Sequence, residues 1–441
     1  MAAVLMSGST MKMQRFTTMK MSFHTNSQGL SKVKPSSEEL MSNILNRKWR
    51  LHLPDTNIHQ IRLSPVGGEN KNGPLSNMNF INNSHPCLGD QLMEKDSQNP
   101  SFYVVRDDLL HPLVNGNKAR KLDGLLPLLM DHLVTDVVTC GGCQSAHGAA
   151  VAVSCAEIGI KSHLLLRGEQ PEVLTGYNLI STLYGNVTYV PRHLYAQRET
   201  MLKTHANLVA GNAGEVLCCN DILETFSTSE TSGASNMGKM NSCTSIEDYP
   251  RKVLIINEGA GDVVALLGAI RLVKYLCQSH LLGRERRVRL VVDAGTGTTA
   301  IGLGLGALCL GVPWEVTAVM LVETIDAFQQ REKCLISDFR TKFGDHCLTN
   351  IDNGVVHWVE RNRKRKFGNV LEGEIEACQQ IARQTGILAD PVYTLAAWEL
   401  AVQLSNDKED DAQVVMLHTG GTLGMFGLAQ RYKSYFHGLK H

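Results

Sequence analysis

Between residues 100 and 418 the chain alternates two textures. Short apolar, β-branched runs (102–105, 136–140, 161–166, 187–190, 252–256, 287–292, 314–320, 413–417) are separated by longer stretches of helical periodicity (146–158, 172–184, 263–277, 324–343, 372–385, 394–404). Neighbouring parallel strands require a long crossover, so this alternation predicts an α/β fold built on parallel sheets. In such sheets ligands sit at the carboxyl ends of the strands. The turns that follow the apolar runs are therefore where chemistry is expected.

The turn most rich in chemistry is 114–122, Val-Asn-Gly-Asn-Lys-Ala-Arg-Lys-Leu. Asn115-Gly116-Asn117 delivers Lys118 to the first turn of a helix carrying Leu122, Leu125, Leu126 and Leu129. Asn117 is expected to cap that helix. Arg120, Lys121 and the positive end of the helix dipole would all disfavour an ammonium at Lys118. A lysine so perturbed is a carbonyl nucleophile of the Schiff-base type. The bland alternative is a basic first turn that meets solvent or a carboxylate.

Other turns add polar groups. Ala294-Gly295-Thr296-Gly297-Thr298-Thr299 follows a strand and opens a helix, so glycine-freed N–H groups and three hydroxyls could cradle a phosphate. It matches neither the dinucleotide nor the P-loop fingerprint, and a tight strand–helix turn would also explain it. Gln144-Ser145 opens the next helix, with His147 two residues on. A Ser–His couple is one reading and simple capping by Ser145 the other. Cys140-Gly-Gly-Cys143 has redox spacing without a second Cys or His pair nearby, and reads as small residues in a crowded turn. Asp390-Pro391-Val392-Tyr393-Thr394 and His418-Thr419-Gly420-Gly421 supply an aromatic face and neutral hydroxyls, as a planar heteroaromatic ring would require.

Composition excludes some partners. Lys+Arg and Asp+Glu both total 43, which leaves no charge bias toward nucleic acid or an anionic membrane. The 12 cysteines are scattered in apolar surroundings, as reduced thiols are. The uncharged stretch 294–314 could pass for a membrane span, but its six glycines and Pro313 point to a buried helix behind a loop. Residues 1–37 hold Lys12, Arg15, Lys20, Lys32 and Lys34 and no acid. That is the character of an organelle transit peptide, most simply mitochondrial, with a plastid as the alternative. The hydroxyl-rich segment 226–248 lacks periodicity and is expected to be a surface insertion.

Together, Arg106-Asp107-Asp108, 115–122, Gly141-Gly-Cys-Gln-Ser145, 294–299, Asp390-Pro-Val-Tyr-Thr394 and His418-Thr-Gly-Gly421 resemble the pyridoxal-phosphate enzymes of the tryptophan-synthase β-subunit fold. Within that fold they resemble the branch of 1-aminocyclopropane-1-carboxylate deaminase and D-cysteine desulfhydrase. The resemblance implies a two-domain α/β protein: a transit or disordered segment (1–45), a large domain (46–120 and 251–441), a small inserted domain (121–223) and a flexible insertion (224–250). It implies that Lys118 carries the cofactor, that Gly295, Thr296, Gly297, Thr298 and Thr299 hold its phosphate, and that Tyr393 lies on or beside the ring. Ser145 would meet the substrate carboxylate or relay a proton, and Thr419 would face the pyridine nitrogen. Thr394 and Thr419 form the hydroxyl pair expected of the desulfhydrase rather than the deaminase. The implied reaction is α,β-elimination of D-cysteine to pyruvate, ammonia and hydrogen sulfide in a homodimer without nucleic-acid or membrane partners. Two departures stand out: Asn115 replaces a glycine, and Ala146 replaces an asparagine that contacts the ring oxygen. Ala146 keeps open a catalytically silent carrier, and the 295–299 loop alone would suit a nucleotide- or phosphate-binding module.

Overall fold

The computed structural model describes residues 37–65, 75, 77–89, 100–114, 116–223, 250–344, 354–407 and 409–440. The expected insertion at 226–248 and nearly all of the basic leader lie outside them.

Among the described residues, twelve strands build two sheets. They are β1 (Ile58–Pro65), β2 (Met78–Asn83), β3 (Ser101–Val105), β4 (Asp136–Gly142), β5 (Lys161–Arg167), β6 (Asn186–Val190), β7 (Glu215–Cys218), β8 (Lys252–Ile255), β9 (Val288–Ala294), β10 (Trp314–Met320), β11 (His357–Glu360) and β12 (Gln413–Leu417). The larger sheet runs β11-β10-β9-β12-β3-β1-β2, parallel from β11 to β3, with β1 and β2 added antiparallel at one edge. The smaller runs β6-β5-β4-β8-β7 and is parallel throughout. The parallel α/β expectation is met. One boundary differs: 252–255 was expected in the larger unit, yet it pairs with β4 in the smaller sheet. A four-residue apolar run carries no signal of which sheet will take it.

A second difference lies at the start. Ser37–Leu45 is a helix, with Met41 and Ile44 buried in the main core. This helix falls within 1–45, the stretch expected to be a transit or disordered segment, and forms because that short run has an apolar face to bury.

The glycine-rich helix Thr298–Leu310 explains the uncharged stretch. A Cβ on Gly302 would lie 2.7 Å from Ala269 Cβ, and one on Gly306 3.0 Å from Val273 Cβ. The glycines thus let this helix press against Val264–Leu276 inside the core. On the other side of Val264–Leu276, Gly268 admits the backbone of Arg120, whose carbonyl oxygen would stand 1.9 Å from an added Cβ. Among the described residues no helix is long and apolar enough to cross a membrane.

Candidate active site

The site grows from the junction of β3 with the helix Asn117–Asp123. Gly116 takes φ 65°, and its missing Cβ leaves room for the carbonyl of Thr419, which would otherwise stand 1.8 Å away. Asn117 is the first helical residue and not the cap. Its backbone N–H donates to Thr419 O (3.2 Å), its Nδ2 donates to Thr299 Oγ1 (3.0 Å), and its Oδ1 accepts from Lys118 Nζ (2.7 Å). One asparagine thereby ties Lys118 to the 295–299 loop and to the end of β12. Lys118 and the loop that holds Gly297 are therefore on the same face of the protein, joined through Asn117.

The reason for the lysine's perturbed acidity differs from the sequence expectation. Burial is the main cause, pushing Lys118 down to about 8, while Asp293 opposes it. Arg120 is not a free neighbouring cation. It is 1% exposed and locked bidentately onto Asp107 (2.8 and 3.0 Å), which is itself fully buried. Lys121 is not among the causes of that lowering either. Its Nζ donates to Gly259 O (2.8 Å) and Thr296 Oγ1 (3.3 Å), and burial together with Lys118 holds it well below the usual lysine range. Lys121 is thus a strut between two loops, a role with no local signal in the sequence.

The 295–299 loop has the expected form. Gly297 caps the helix at φ 81°, Thr298 and Thr299 are buried, and the Thr296 and Thr298 hydroxyls lie 3.1 Å apart. Tyr393 reaches the same loop, its Cε1 3.7 Å from where a Gly295 Cβ would be, and Phe367 meets its ring edge-on at 5.5 Å. Asp390 folds the Tyr393 turn by accepting from the N–H groups of Val392 (2.9 Å), Tyr393 (2.9 Å) and Thr394 (3.2 Å). Thr419 donates its hydroxyl to Asp293, which lies buried at the end of β9 and is raised to about 6 by that burial.

Several expectations change here. The Thr394 hydroxyl is fully buried and turned back on Asp390, to which it donates (3.0 Å) and from whose N–H it accepts (2.8 Å). Ser145 is a cap, its Oγ accepting from Gly148 N (3.1 Å). His147 turns away from it to Thr139 (2.9 Å), and burial drives the imidazole down to about 3, so no Ser–His couple forms. Cys140 is buried with its thiol pushed up to about 12, and Cys143 donates to Arg167 O (3.1 Å); neither acts as a redox partner here. Arg106 holds Asp108 bidentately (2.9 and 2.7 Å), and Asp108 lies 3.7 Å from His418, so that acidic motif braces strand ends.

A glycine-capped helix N-terminus with three threonine hydroxyls, a lysine lowered to about 8 and an aromatic ring beside them form a donor set that fits pyridoxal phosphate. Fold and site together define a pyridoxal-phosphate enzyme of the tryptophan-synthase β-subunit fold. No protein-family model matches the chain. A protein of Oryza sativa subsp. japonica, provisionally named D-cysteine desulfhydrase 2, mitochondrial, is 51% identical over 90% of this chain and 95% of its own. The bifunctional D-cysteine desulfhydrase/1-aminocyclopropane-1-carboxylate deaminase, mitochondrial, of Arabidopsis thaliana is 24% identical over 74% of this chain and 73% of its own. A crystal structure of an ACC deaminase homologue superposes with a TM-score of 0.62 at 19% identity, covering 90% of this chain and 98% of that one, and shows the same fold. The chain belongs to the 1-aminocyclopropane-1-carboxylate deaminase and D-cysteine desulfhydrase family.

Proposed function

We propose that the protein eliminates hydrosulfide from D-cysteine, consuming one water and yielding pyruvate, ammonia and hydrogen sulfide, in the mitochondrion. The observation that carries this reading is the 51% identity to the rice protein along almost the whole chain, supported by the link from Lys118 through Asn117 to the glycine-capped loop. Pyridoxal phosphate, when bound, supplies the electron sink that acidifies the substrate Cα.

The chain's own residues do the rest. The Thr296, Thr298 and Thr299 hydroxyls and the N–H groups behind Gly297 hold the phosphate. Lys118 is the covalent attachment point. Its Nζ, lowered to about 8, can release or hold a proton near neutral pH, and Asn117 aims it. Tyr393 would flank the ring, and Thr419, whose hydroxyl donates to Asp293, would stand at the pyridine nitrogen. Ser145, seated at a helix N-terminus, orients the substrate carboxylate. We assign the larger sheet to a cofactor domain and the smaller to an inserted domain, with two copies of the chain forming the active assembly.

Purified protein tests the reading. An absorbance band of lysine-bound cofactor should survive dialysis and vanish in Lys118→Ala; a colourless protein would instead support a phosphate-binding module. Sulfide and pyruvate should form from D-cysteine in preference to L-cysteine or 1-aminocyclopropane-1-carboxylate. Turnover of either of those with none of D-cysteine overturns the substrate assignment. A coloured protein that turns over none of the three would be the silent carrier that Ala146 suggested. A fusion of residues 1–50 to a fluorescent reporter should reach mitochondria, and a cytosolic or plastid signal refutes that part.

A further inference from the structure

Beside the cofactor cradle, and sharing no residue with it, lies a cavity of about 190 Å³ at the carboxyl ends of β10 and β11. Its charged wall is unusual. Arg361 and Arg365 line it although their side chains are only 8% and 6% exposed. Both lean on Glu374, which is fully buried and also faces Arg363 at 3.3 Å. Glu399 and Asp390 also act on Arg361, and burial pushes Glu399 up toward its neutral form. Glu374 is the one carboxylate among the described residues that pairs directly with all three guanidinium groups. The remaining acids on the wall are matched elsewhere, Glu323 by Arg331 (2.8 Å) and Glu360 by Lys364 (2.6 Å).

The arginines also keep donors in reserve. Arg361 Nε and Arg365 Nη2 are buried and have no hydrogen-bond partner. A buried donor left unmatched costs on the order of 1–3 kcal/mol, so such groups mark a place where an acceptor belongs. Thr324, the cap of the 19-residue helix Ile325–Phe343, stands on the same wall and turns the positive end of that helix toward the cavity. Planar guanidinium forks and a helix N-terminus both match a small oxyanion.

We propose that this cavity binds a tetrahedral oxyanion, a sulfate or a phosphate group, held by Arg361 and Arg365. The site is coupled to the chemistry. Arg361 donates to the carbonyls of Pro391 (2.9 Å) and Val392 (3.4 Å), just ahead of Tyr393, and Phe367 joins the cavity wall to the Tyr393 ring. An anion that draws on Arg361 tightens or loosens the turn that carries Tyr393. The bound anion is therefore a modulator of the cofactor environment and not a substrate.

The test is calorimetric titration of the cofactor-loaded protein with sodium sulfate at constant ionic strength, repeated with inorganic phosphate and with methyl phosphate. One saturable site per chain is expected. Arg365→Met and Asn369→Asp, the latter placing a carboxylate on the wall, should each weaken it at least tenfold. Because Arg365→Met could unsettle Glu374, Asn369→Asp serves as the variant whose thermal midpoint and cofactor absorbance stay unchanged. Saturation of the wild type should also shift the cofactor absorbance band. If methyl phosphate binds as well as inorganic phosphate, the site accepts a phosphate group on a larger molecule; if only the inorganic ions bind, it is a free-ion site. In protein free of cofactor the glycine loop adds a second site, which neither variant removes. No saturable binding to the wild type, or binding equally strong in both variants, overturns the proposal whatever the enzyme's substrate proves to be.

Discussion

The Asp107–Arg120 pair fixes the helix that carries Lys118, and cutting it should be felt in both stability and cofactor retention. Asp107 is fully buried and Arg120 is 1% exposed; two hydrogen bonds of 2.8 and 3.0 Å join them, and Arg120 Nη1 also donates to Pro54 O (2.8 Å). Asp107→Ala removes the carboxylate and leaves a buried guanidinium with the Pro54 carbonyl as its hydrogen-bond acceptor and only the more distant Asp123 and Asp55 as opposing charges. Breaking a buried pair by deleting one partner costs roughly 3–5 kcal/mol, because the surviving charge is uncompensated. At about 4 kcal/mol the folded-to-unfolded ratio falls by roughly three decades. Urea unfolding followed by circular dichroism should show a lower midpoint with an unchanged slope, which separates lost stability from a changed unfolded state. Asp107→Ala combined with Arg120→Met should recover much of the loss, since no charge is then stranded. The Asp107 carbonyl accepts from Gly116 N (2.8 Å), so the single variant should also release cofactor faster. A loss below about 1 kcal/mol, or a double variant no better than the single, would refute the view that this pair is buried and strong.

Four further outcomes follow from the structure. Labelling of Lys118 by pyridoxal phosphate in cofactor-free protein should rise with pH to half its maximum near pH 8, because burial has lowered that amine to about 8; a midpoint near the ordinary lysine value would contradict its burial. Asp293 is raised from 3.8 to about 6, and a carboxyl with a raised folded pKa costs stability above that value and nothing below its unfolded one. Asp293→Asn should therefore be more stable than wild type at pH 7.5, by at most about 3 kcal/mol, and equal at pH 3.5, as urea midpoints would show. The same variant removes the attraction that holds the Lys118 ammonium, so the labelling midpoint should move to lower pH. Gly268→Ala forces a Cβ to within 1.9 Å of Arg120 O and should cost about 1–3 kcal/mol or more by overpacking, read as a lowered thermal midpoint; an unaffected midpoint would mean the two helices can part freely.

The amino-acid sequence by itself determined the α/β class, the placing of Lys118 on a helix after a turn, the glycine–threonine loop and the buried character of 294–314. These are local properties: strand and helix periods, glycine at positive φ and helix starts are written within a few residues. The site's wiring is not local. Asn117 meets Thr299 across 182 residues, Lys121 meets Gly259 across 138, and Thr419 meets Asp293 across 126. The Ser145–His147 couple failed for the matching reason. Proximity in sequence let the two be paired on paper, but the packed helix turned His147 to Thr139, whose hydroxyl could satisfy it in the core. Strand order decided the rest, bringing β3, β9 and β12 side by side so that Lys118, Asp293 and Thr419 share one edge. A buried polar group takes the partner that the sheet brings within hydrogen-bond reach, and that choice is made only when the chain closes on itself.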